Sequence, residues 1–264
     1  MTQTQRATGR LCLLMTVLAS TLLLAACTID DNPEPRATAT PTAVTFGPDD
    51  VAVGTLLNES SAAWDGVEAW IVETRIESPD TGSGNAATSV STERVTVSGN
   101  RHVLNMTGET LVSEEITTGG TIYMRGSLVS SSIYPDVDES TWISFTADQV
   151  PPDTALEQRV TYLTASPTFP FATVTAETRA LPAAPAGEIQ VDDRVCNVYT
   201  FTSAEGATDG IEYRIAFDAQ DRPCQLIREG GGVIETTTWS YPETPEPITA
   251  PNDAVPVETF PTGP

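Results

Sequence analysis

Residues 101–126 read RHVLNMTGETLVSEEITTGGTIYMRG, and this stretch decides the fold. It consists of three short runs rich in β-branched and aromatic residues, Arg101 to Thr107, Leu111 to Thr117 and Thr121 to Gly126. A Gly-Glu pair and a Gly-Gly pair separate the runs, and glycine at such junctions is typical of tight hairpin turns. The stretch therefore predicts three consecutive antiparallel strands.

The same pattern extends outward in both directions. Val67 to Ser78 and Ala87 to Ser98 precede the stretch as further predicted strands. Four more follow it, at Arg194 to Ser203, Gly210 to Phe217, Pro223 to Glu229 and Val233 to Tyr241. A sheet of about nine or more strands does not stay flat and open. We therefore expect a single large sheet that curls around its contents.

Two helices interrupt the strands. Asp49 or Asp50 is predicted to cap the first, which Gly66 ends. Its apolar residues recur near helical spacing at Val53, Leu56, Leu57 and Trp64. The second begins at the capping-box pattern Thr154-x-x-Glu157. It places Leu156, Val160 and Leu163 on one face. One large antiparallel sheet with segregated helices predicts the α+β class.

The amino terminus is typical of an export signal. Arg6 and Arg10 precede an apolar run from Leu11 to Leu24, which is shorter than the about 20 residues of a membrane-spanning helix. Leu24-Ala25-Ala26-Cys27 then looks like a bacterial lipobox, with small residues directly before a cysteine. We expect acylation of Cys27, by palmitate or a similar fatty acid, and attachment to the extracytoplasmic face of a cell membrane. The alternative is an ordinary secretory signal in which the cysteine occurs by chance.

Composition divides the chain into four parts. Residues 1–26 are the predicted signal peptide, and residues 27–47 form a Thr- and Pro-rich tether without apolar periodicity, predicted to be disordered. Residues 48–251 are the predicted folded domain. The proline-rich end is expected to be an extended packed segment that becomes a disordered tail over residues 252–264.

The charge of the chain excludes one class of partner. The net charge is −23, and every cationic side chain is an arginine. The predicted signal carries two of these arginines and no acidic residue, so its removal makes the mature chain more negative still. Such a surface repels nucleic acid and anionic lipid head groups. We expect no nucleic-acid partner, and membrane attachment through Cys27 alone.

Two cysteines remain in the predicted domain, Cys196 and Cys224, and an extracytoplasmic location favours a disulfide between them. In a simple meander they lie on strands separated by a third strand, with Cα atoms about 9 to 10 Å apart. A disulfide tolerates roughly 7 Å. A β-bulge or a frayed strand end would close the gap, and we expect the bond to form.

The residue types of a catalytic or metal site are scarce. His102 is the only histidine, it lies in a predicted strand, and such a residue is more often a surface or pairing residue than a catalyst. Asp136, Asp138 and Glu139 lack the rest of a calcium loop and are expected to be solvated acids. There is no Gly-x-Ser-x-Gly motif, and Gly230 to Gly232 lacks a following lysine and helix. The sequence predicts neither an enzyme nor a metal or cofactor site.

Six segments follow a recognisable order: a tyrosine-arginine strand, a tryptophan, a turn, a closing strand and a proline-ended tail. They are Ile122 to Arg125, Trp142-Ile143, Gly210 to Phe217, Asp221 to Ile227, Tyr241 and Pro247 to Pro251. Over about residues 49–251 this arrangement resembles the LppX/LprG-type lipoproteins of the LolA/LolB-like carrier superfamily. The resemblance implies an unclosed β-barrel with helices packed over its concave face, and an apolar cavity that carries acyl chains. It implies no catalytic residues.

Apolar residues of the predicted helices and strands are the candidates to line such a cavity. They are Leu56, Trp70, Val72, Leu104, Met106, Ile122, Met124 and Phe145. Ordinary core packing explains any one of them as well. Three functions stay open: binding or transfer of a lipid or acyl chain, a regulatory or sensor module that binds an envelope protein, and a structural surface lipoprotein with a filled core.

Overall fold

The computed structural model describes residues 45–78, 87–134, 136–203 and 210–258. Three α-helices are present in them, α1 Val53–Trp64, α2 Ala155–Thr164 and α3 Ala176–Arg179. The strands are β1 Val51–Ala52, β2 Ala69–Ser78, β3 Ala87–Thr96, β4 Arg101–Thr107, β5 Thr110–Thr118, β6 Thr121–Arg125, β7 Ile143–Phe145, β8 Pro182–Val191, β9 Arg194–Ser203, β10 Ile211–Phe217, β11 Pro223–Gly230, β12 Val233–Ser240 and β13 Val255–Pro256. No helix of the described residues is long and apolar enough to cross a membrane.

All thirteen strands form one open sheet in the order β1-β8-β9-β10-β11-β12-β2-β3-β4-β5-β6-β7-β13. Every neighbouring pair is antiparallel except β13 and β7, which run parallel. The two-residue strands β1 and β13 form the edges, so the sheet does not close into a barrel. The predicted α+β class, with an unclosed antiparallel sheet and helices packed on it, is confirmed.

The stretch that decides the fold forms β4, β5 and β6 as predicted. Gly119 and Gly120, both with positive φ angles of 59° and 80°, make the turn that brings Thr118 opposite Thr121. A side chain with a Cβ atom is strained in this backbone region, so the Gly-Gly pair specifies a two-residue hairpin. The predicted strands on either side also form, with ends within two residues of their expected positions.

Helix α1 forms, but its predicted cap is wrong. The residue before the helix is Ala52, and no side chain caps the first turn. The carboxylate of Asp50 instead accepts a hydrogen bond from the backbone N–H of Gly47 at 2.7 Å. Val51 and Ala52 pair with Ala183 and Pro182 as strand β1, so the helix begins only after them.

Helix α2 begins as its capping box predicts. The hydroxyl of Thr154 accepts a hydrogen bond from the backbone N–H of Glu157 at 3.1 Å. The Glu157 carboxylate accepts one at 2.6 Å from the N–H of Asp153, one residue before the cap. Both bonds satisfy backbone donors that have no partner within the helix, and they fix its start.

The two larger helices cover two separate apolar clusters. The α1 cluster contains Val53, Leu56, Leu57, Trp64, Trp70, Val95, Phe171, Ala183, Phe201, Ile215, Phe217 and Trp239. The α2 cluster contains Val103, Ile122, Met124, Val129, Ile143, Phe145, Val160, Leu163 and Val257. The segment between α2 and α3 adds Phe171 to the α1 cluster, with its ring centroid 5.6 Å from that of Trp239.

The disulfide between Cys196 and Cys224 forms, with a Cα–Cα distance of 6.5 Å. The ladder between β9 and β10 ends at Asn197, so Cys196 lies just beyond it. On β11, Cys224 is the unpaired residue of a bulge, because Phe217 pairs with Pro223 and Ala216 with Gln225. The end of the β9–β10 ladder and the bulge in β11 together close the gap that a regular meander would leave, while Cys196 stays paired with Ile189 of β8.

Four strands were not predicted. The edge strands β1 and β13 have two residues each, and β7 has three. Strand β8 contains Pro182, Pro185 and Gly187, which disfavour a strand prediction. Its register shifts between Pro185 and Glu188, and this irregularity accommodates them. The predicted signal, Cys27, most of the tether and the tail after Glu258 lie outside the described residues.

Candidate functional site

The structure divides the eight predicted cavity residues among three places. Leu56, Trp70 and Val72 lie in or against the α1 cluster. Ile122, Met124 and Phe145 lie in the α2 cluster. Leu104 and Met106 alternate along β4 with the buried Val103, so they lie on the opposite face of the sheet. Six of the eight therefore share the face that carries the helices, in two groups, and Leu104 and Met106 do not.

Strand pairing shows what separates the two groups. Paired residues share a face. One row crosses β2 to β7 on the inner face, defined here as the face that carries Trp70 and Ile122. It contains Trp70, Val95, Arg101, Thr117, Ile122 and Phe145. The next row contains Val72, Glu93, Val103, Glu115, Met124 and Ile143. Polar residues thus stand between apolar ones in both rows.

Helix α2 covers these polar residues with two of its own. We call the five residues Glu93, Arg101, Glu115, Arg159 and Tyr162 the charged seam. The first three belong to β3, β4 and β5, and the last two to α2. The seam lies on the inner face. Glu93 and Arg101 lie between the α1 cluster and the α2 cluster, and Glu115 lies within the α2 cluster, between Val103 and Met124.

Glu93 is the centre of the first half of the seam. Its Oε1 accepts a hydrogen bond from Arg101 Nη1 at 2.7 Å, and its Oε2 accepts one from the Tyr162 hydroxyl at 2.5 Å. Arg101 also donates from Nη2 to the carbonyl of Ala165, at the end of α2, at 3.1 Å. A strand-borne ion pair therefore holds the helix through two hydrogen bonds.

Glu115 is the centre of the second half. Its side chain is 1% exposed, and its Oε2 accepts a hydrogen bond from Arg159 Nε at 2.6 Å. Its Oε1 accepts one from the Ser113 hydroxyl at 2.9 Å, and Asn105 in turn donates to that hydroxyl at 2.8 Å. Arg159 is the only charged partner that the described residues give to Glu115. This one guanidinium is the group that faces the buried carboxylate and pairs with it.

The ring of Tyr162 lies close to both guanidinium groups. The Cζ atoms of Arg101 and Arg159 are 5.0 and 4.9 Å from its centroid, which is within the range of cation–π attraction. Burial raises the pKa of its hydroxyl above the ordinary 10.0, and the neighbouring Glu93 carboxylate raises it further. Tyr162 is therefore a neutral hydrogen-bond donor at every physiological pH.

Besides Nη2 of Arg159, which lies within ion-pair distance of Glu115, two buried polar atoms in the seam region have no hydrogen-bond partner among the described residues. They are Nε of Arg101 and Oγ1 of its cross-strand partner Thr117. A buried donor or acceptor without a partner is costly, and such groups are rare in folded proteins. The inner face thus keeps an unused donor and an unused acceptor beside a buried ion pair.

The contact between α2 and the sheet is chemically mixed. Val160 and Leu163 contribute apolar contacts to the α2 cluster, while Arg159 and Tyr162 contribute the ion pair and the hydrogen bonds. Buried ion pairs add little net stability, because desolvation offsets most of their attraction, but they fix orientation. The helix is held in one position by groups that water solvates well when the contact opens.

Sequence reasoning missed the charged seam. In a chain with 36 acidic residues, acids on strands are expected at the surface. One signal was present, since Arg159, Tyr162 and Leu163 are spaced three and four residues apart and share a helix face. That face is the one predicted to be buried by Leu163, so the arginine and the tyrosine had to be buried with it.

The outer face carries a second polar group, around the only histidine. His102 Nε2 lies 2.8 Å from Glu114 Oε1, and Arg125 Nε donates to Glu114 Oε2 at 2.7 Å. The hydrogen bond with His102 lowers the pKa of Glu114, and Arg125 lowers it further. His102 is thus a pairing residue of β4. Asp138 accepts hydrogen bonds from the backbone and the hydroxyl of Ser140 and forms a local turn.

Within the described ranges, no three His, Cys, Asp or Glu side chains converge as metal ligands. Two surface grooves lie elsewhere, with volumes of about 280 and 340 Å³. The first lies between the start of β2, the end of β3 and the segment 242–248. The ion pair between Arg94 and Glu246 connects this segment to β3. The second surrounds Tyr241, whose ring lies 5.0 and 4.7 Å from the guanidinium groups of Arg194 and Arg222.

No protein-family profile matches the chain, and no curated protein matches its sequence. Solved structures do match. LppX, a lipoprotein of Mycobacterium tuberculosis, is 12% identical over 75% of this chain and 98% of LppX, with a TM-score of 0.46. LprF from Mycobacterium bovis is 14% identical over 77% of this chain and 97% of LprF, with a TM-score of 0.41. The MucA/MucB complex of Pseudomonas aeruginosa matches with 14% identity over 78% of this chain and 64% of the matched chain, with a TM-score of 0.40.

The resemblance predicted from the sequence is therefore found among solved structures. These identities and TM-scores are too low to transfer a ligand or a partner. The function has to be inferred from the residues of this chain.

Proposed function

We propose that this chain is a lipid-anchored extracytoplasmic binding protein that takes up an amphiphile, such as a lipid or an acyl chain, between α2 and the sheet. In this proposal α2 is a lid, the α2 cluster is the acyl-chain site, and the charged seam is the polar border. The role is binding or transfer, without catalysis.

The mixed chemistry of the α2 contact carries this proposal. When α2 lifts, Val160 and Leu163 separate from Ile122, Met124 and Phe145, and an apolar floor opens on the sheet. Each of these side chains loses roughly 1.5 to 3 kcal/mol on full exposure. An acyl chain that covers these exposed side chains recovers that free energy, whereas water in the same place does not. The polar ends of Arg159 and Tyr162 meanwhile gain hydration.

The proposed location rests on two features of the sequence and one of the structure. The lipobox predicts the anchor at Cys27, and the signal predicts export. The disulfide between Cys196 and Cys224 supports an oxidising compartment. Replacement of Cys27 by alanine should release the protein from the membrane fraction and remove a fatty-acid mass from the mature chain. Membrane retention of that variant would exclude lipid anchoring.

Probe uptake tests the acyl-chain site. The neutral fluorophore N-phenyl-1-naphthylamine brightens in apolar surroundings, so titration reports binding without a charge effect. Leu163→Ala should strengthen uptake because it makes room beneath α2. Leu57→Ala is the matched control, since Leu57 is equally a buried helical leucine but lies in the α1 cluster.

Both variants make the same side-chain change, and each should lose about 2 to 5 kcal/mol of stability. A difference in probe uptake between them therefore reports which cluster the probe enters. If Leu163→Ala does not fold, Met124→Ala opens the same cluster from the sheet side. Equal uptake by the variants of both clusters, or no uptake by either, would contradict an acyl-chain site under α2. Native mass spectrometry of protein extracted gently from membranes should show a bound lipid.

The filled state of both clusters favours a second candidate, a structural surface lipoprotein with a filled core. Buried side chains of the sheet and of both helices occupy the inner face in this structure. No lipid in native mass spectrometry and no protein captured from membranes by the intact chain would favour this candidate, whereas a captured envelope protein without lipid would favour a regulatory or sensor module.

A further inference from the structure

The displacement of α2 leaves the two halves of the charged seam in different states. Glu93 and Arg101 both belong to strands, so their ion pair stays on the sheet. Arg159 leaves with the helix, and Glu115 loses its cation. The sheet side of the seam then carries two carboxylates and one guanidinium.

In the part of the chain that the structure describes, Glu115 has no second charged partner that could replace Arg159. Its cross-strand neighbours on the inner face are Val103 and Met124, both apolar and buried, and Ser113 gives it only a neutral hydrogen bond. A buried ion that loses its partner costs about 3 to 5 kcal/mol. A ligand that fills the space under α2 is therefore favoured if it brings a positive charge to Glu115.

The unpartnered atoms beside Glu115 add a second requirement. Arg101 pairs with Thr117, and Val103 pairs with Glu115, so Arg101 and Glu115 are diagonal neighbours across β4 and β5. Diagonal positions lie about 7 to 8 Å apart. Arg101 Nε is a charged donor without a hydrogen-bond partner, and Thr117 Oγ1 is an unused acceptor. A ligand with an anionic oxygen at Arg101 Nε and an N–H group at Thr117 Oγ1 or at the Glu115 carboxylate would give these groups the partners that they lack.

We propose that the amphiphile under α2 has a zwitterionic head group, with an ammonium that replaces the Arg159 guanidinium at Glu115 and an anionic oxygen that accepts from Arg101 Nε. This inference rests on the proposed function and specifies its ligand class. A phosphoethanolamine group has this chemistry, since one short linker joins its phosphate and its primary ammonium. Arg159 is then the intramolecular substitute for the ligand's cation in the closed state.

Displacement of N-phenyl-1-naphthylamine by matched amphiphiles tests the head group. Four compounds with a twelve-carbon chain are compared below their critical micelle concentrations: lysophosphatidylethanolamine, lysophosphatidylglycerol, dodecylamine and dodecyl maltoside. The first two share the phosphate and differ in the ammonium. The first and third share the ammonium and differ in the phosphate. We expect lysophosphatidylethanolamine to bind at least about tenfold more tightly than each of the others.

Three variants assign that preference to the seam. Glu115→Gln should reduce the advantage of lysophosphatidylethanolamine over lysophosphatidylglycerol to less than about threefold. Arg159→Gln should strengthen lysophosphatidylethanolamine binding, because the competing guanidinium is gone. Glu73→Gln on the exposed outer side of β2 makes the same change in net charge, and should leave the order of the four compounds unaltered.

If Glu115→Gln fails to fold, the double variant Glu115→Gln/Arg159→Met makes the same test without an unpaired buried charge. Equal binding of lysophosphatidylethanolamine and lysophosphatidylglycerol to the native protein would overturn the head-group inference and leave the acyl-chain site standing. Failure of all four compounds to displace the probe, together with no gain in Leu163→Ala, would overturn the proposed function itself.

Discussion

The hydroxyl of Tyr162 in α2 donates a 2.5 Å hydrogen bond to Glu93 in β3, a residue 69 positions earlier in the chain. The same carboxylate accepts from Arg101 in β4, so helix and sheet share one acceptor. This relationship fixes the rotation of α2 about its axis. Val160 and Leu163 pack against the strand residues of the α2 cluster in the same orientation in which Tyr162 reaches Glu93.

Removal of that hydroxyl should measure its part in holding α2. Tyr162→Phe keeps the ring between the two arginines and removes the hydrogen bond, and a hydrogen bond to a charged group contributes about 1.5 to 3 kcal/mol. We expect a loss of that size in the free energy of unfolding measured in urea. Tyr123→Phe on the outer face is the control and should change stability by less than about 0.5 kcal/mol. Equal losses of unfolding free energy in Tyr162→Phe and Tyr123→Phe would show that the hydrogen bond from Tyr162 to Glu93 does not stabilise the contact of α2 with the sheet.

Alkaline titration should separate two tyrosines from the rest. The pKa values of Tyr162 and Tyr241 are raised above 10.0, mainly by burial. In the unfolded chain both ionise near 10, so above that pH the unfolded state binds fewer protons and stability falls as pH rises. Absorbance at the phenolate band should show both tyrosines ionising late, together with unfolding. Tyr162→Phe should make the loss of stability above pH 10 less steep, and an unchanged slope would contradict burial of this hydroxyl.

The buried pair of Arg159 and Glu115 should behave unlike an exposed pair. Arg159→Met leaves Glu115 buried without a cation and should cost about 3 to 5 kcal/mol of unfolding free energy. Glu115→Leu/Arg159→Met removes both charges and should be markedly more stable than the single variant. The pair of Arg94 and Glu246 is 43% and 77% exposed, so Arg94→Gln should cost less than about 1 kcal/mol. A double variant as unstable as Arg159→Met would show that packing, and not the lost charge, dominates.

The disulfide should stabilise the domain by restricting the unfolded chain. The bonded cysteines are 28 positions apart, and closure of a loop of that length is worth about 3 to 4 kcal/mol in the chain-entropy account. Cys196→Ala/Cys224→Ala should lose at least that much, measured in urea. Reduction of the native protein should reproduce the loss, and thiol titration of the unfolded, unreduced chain should find neither cysteine reactive. Two reactive thiols would refute the bond.

Local signals made most of the sheet predictable. Gly108-Glu109 and Gly119-Gly120 mark the hairpins on both sides of β5, and β-branched runs mark the strands that they join. The strands that were missed depend on pairing partners far along the chain. Strand β1 exists because Val51 meets Ala183, and β13 exists because Val255 meets Ile143. No local pattern encodes such a partner, and the cap at Asp50 was wrong for the same reason.

The candidate site was less predictable than the sheet. Five of the eight predicted residues lie on strands and share the inner face, because alternation along a strand assigns faces once the strand is known, and Leu56 packs on that face from α1. Leu104 and Met106 lie on the other face because Val103, the residue before Leu104, is the one that turns inward. The charged seam needs the register of β3, β4 and β5, which aligns Glu93, Val103 and Glu115. Without that register an acid on a strand is indistinguishable from a surface acid.

The edges of the sheet bear on how densely such a domain can populate a membrane. If the proposed lipid at Cys27 holds the domain at a membrane, its copies share a two-dimensional surface, where they collide far more often than in solution. Strands β1 and β13 are two residues long. Beyond the two residues that pair with β1, strand β8 carries Pro185, and its pairing with β9 is irregular there. Short, irregular, proline-bearing edges are poor templates for another chain's backbone. Crowding should therefore leave the copies as separate molecules instead of seeding intermolecular sheets.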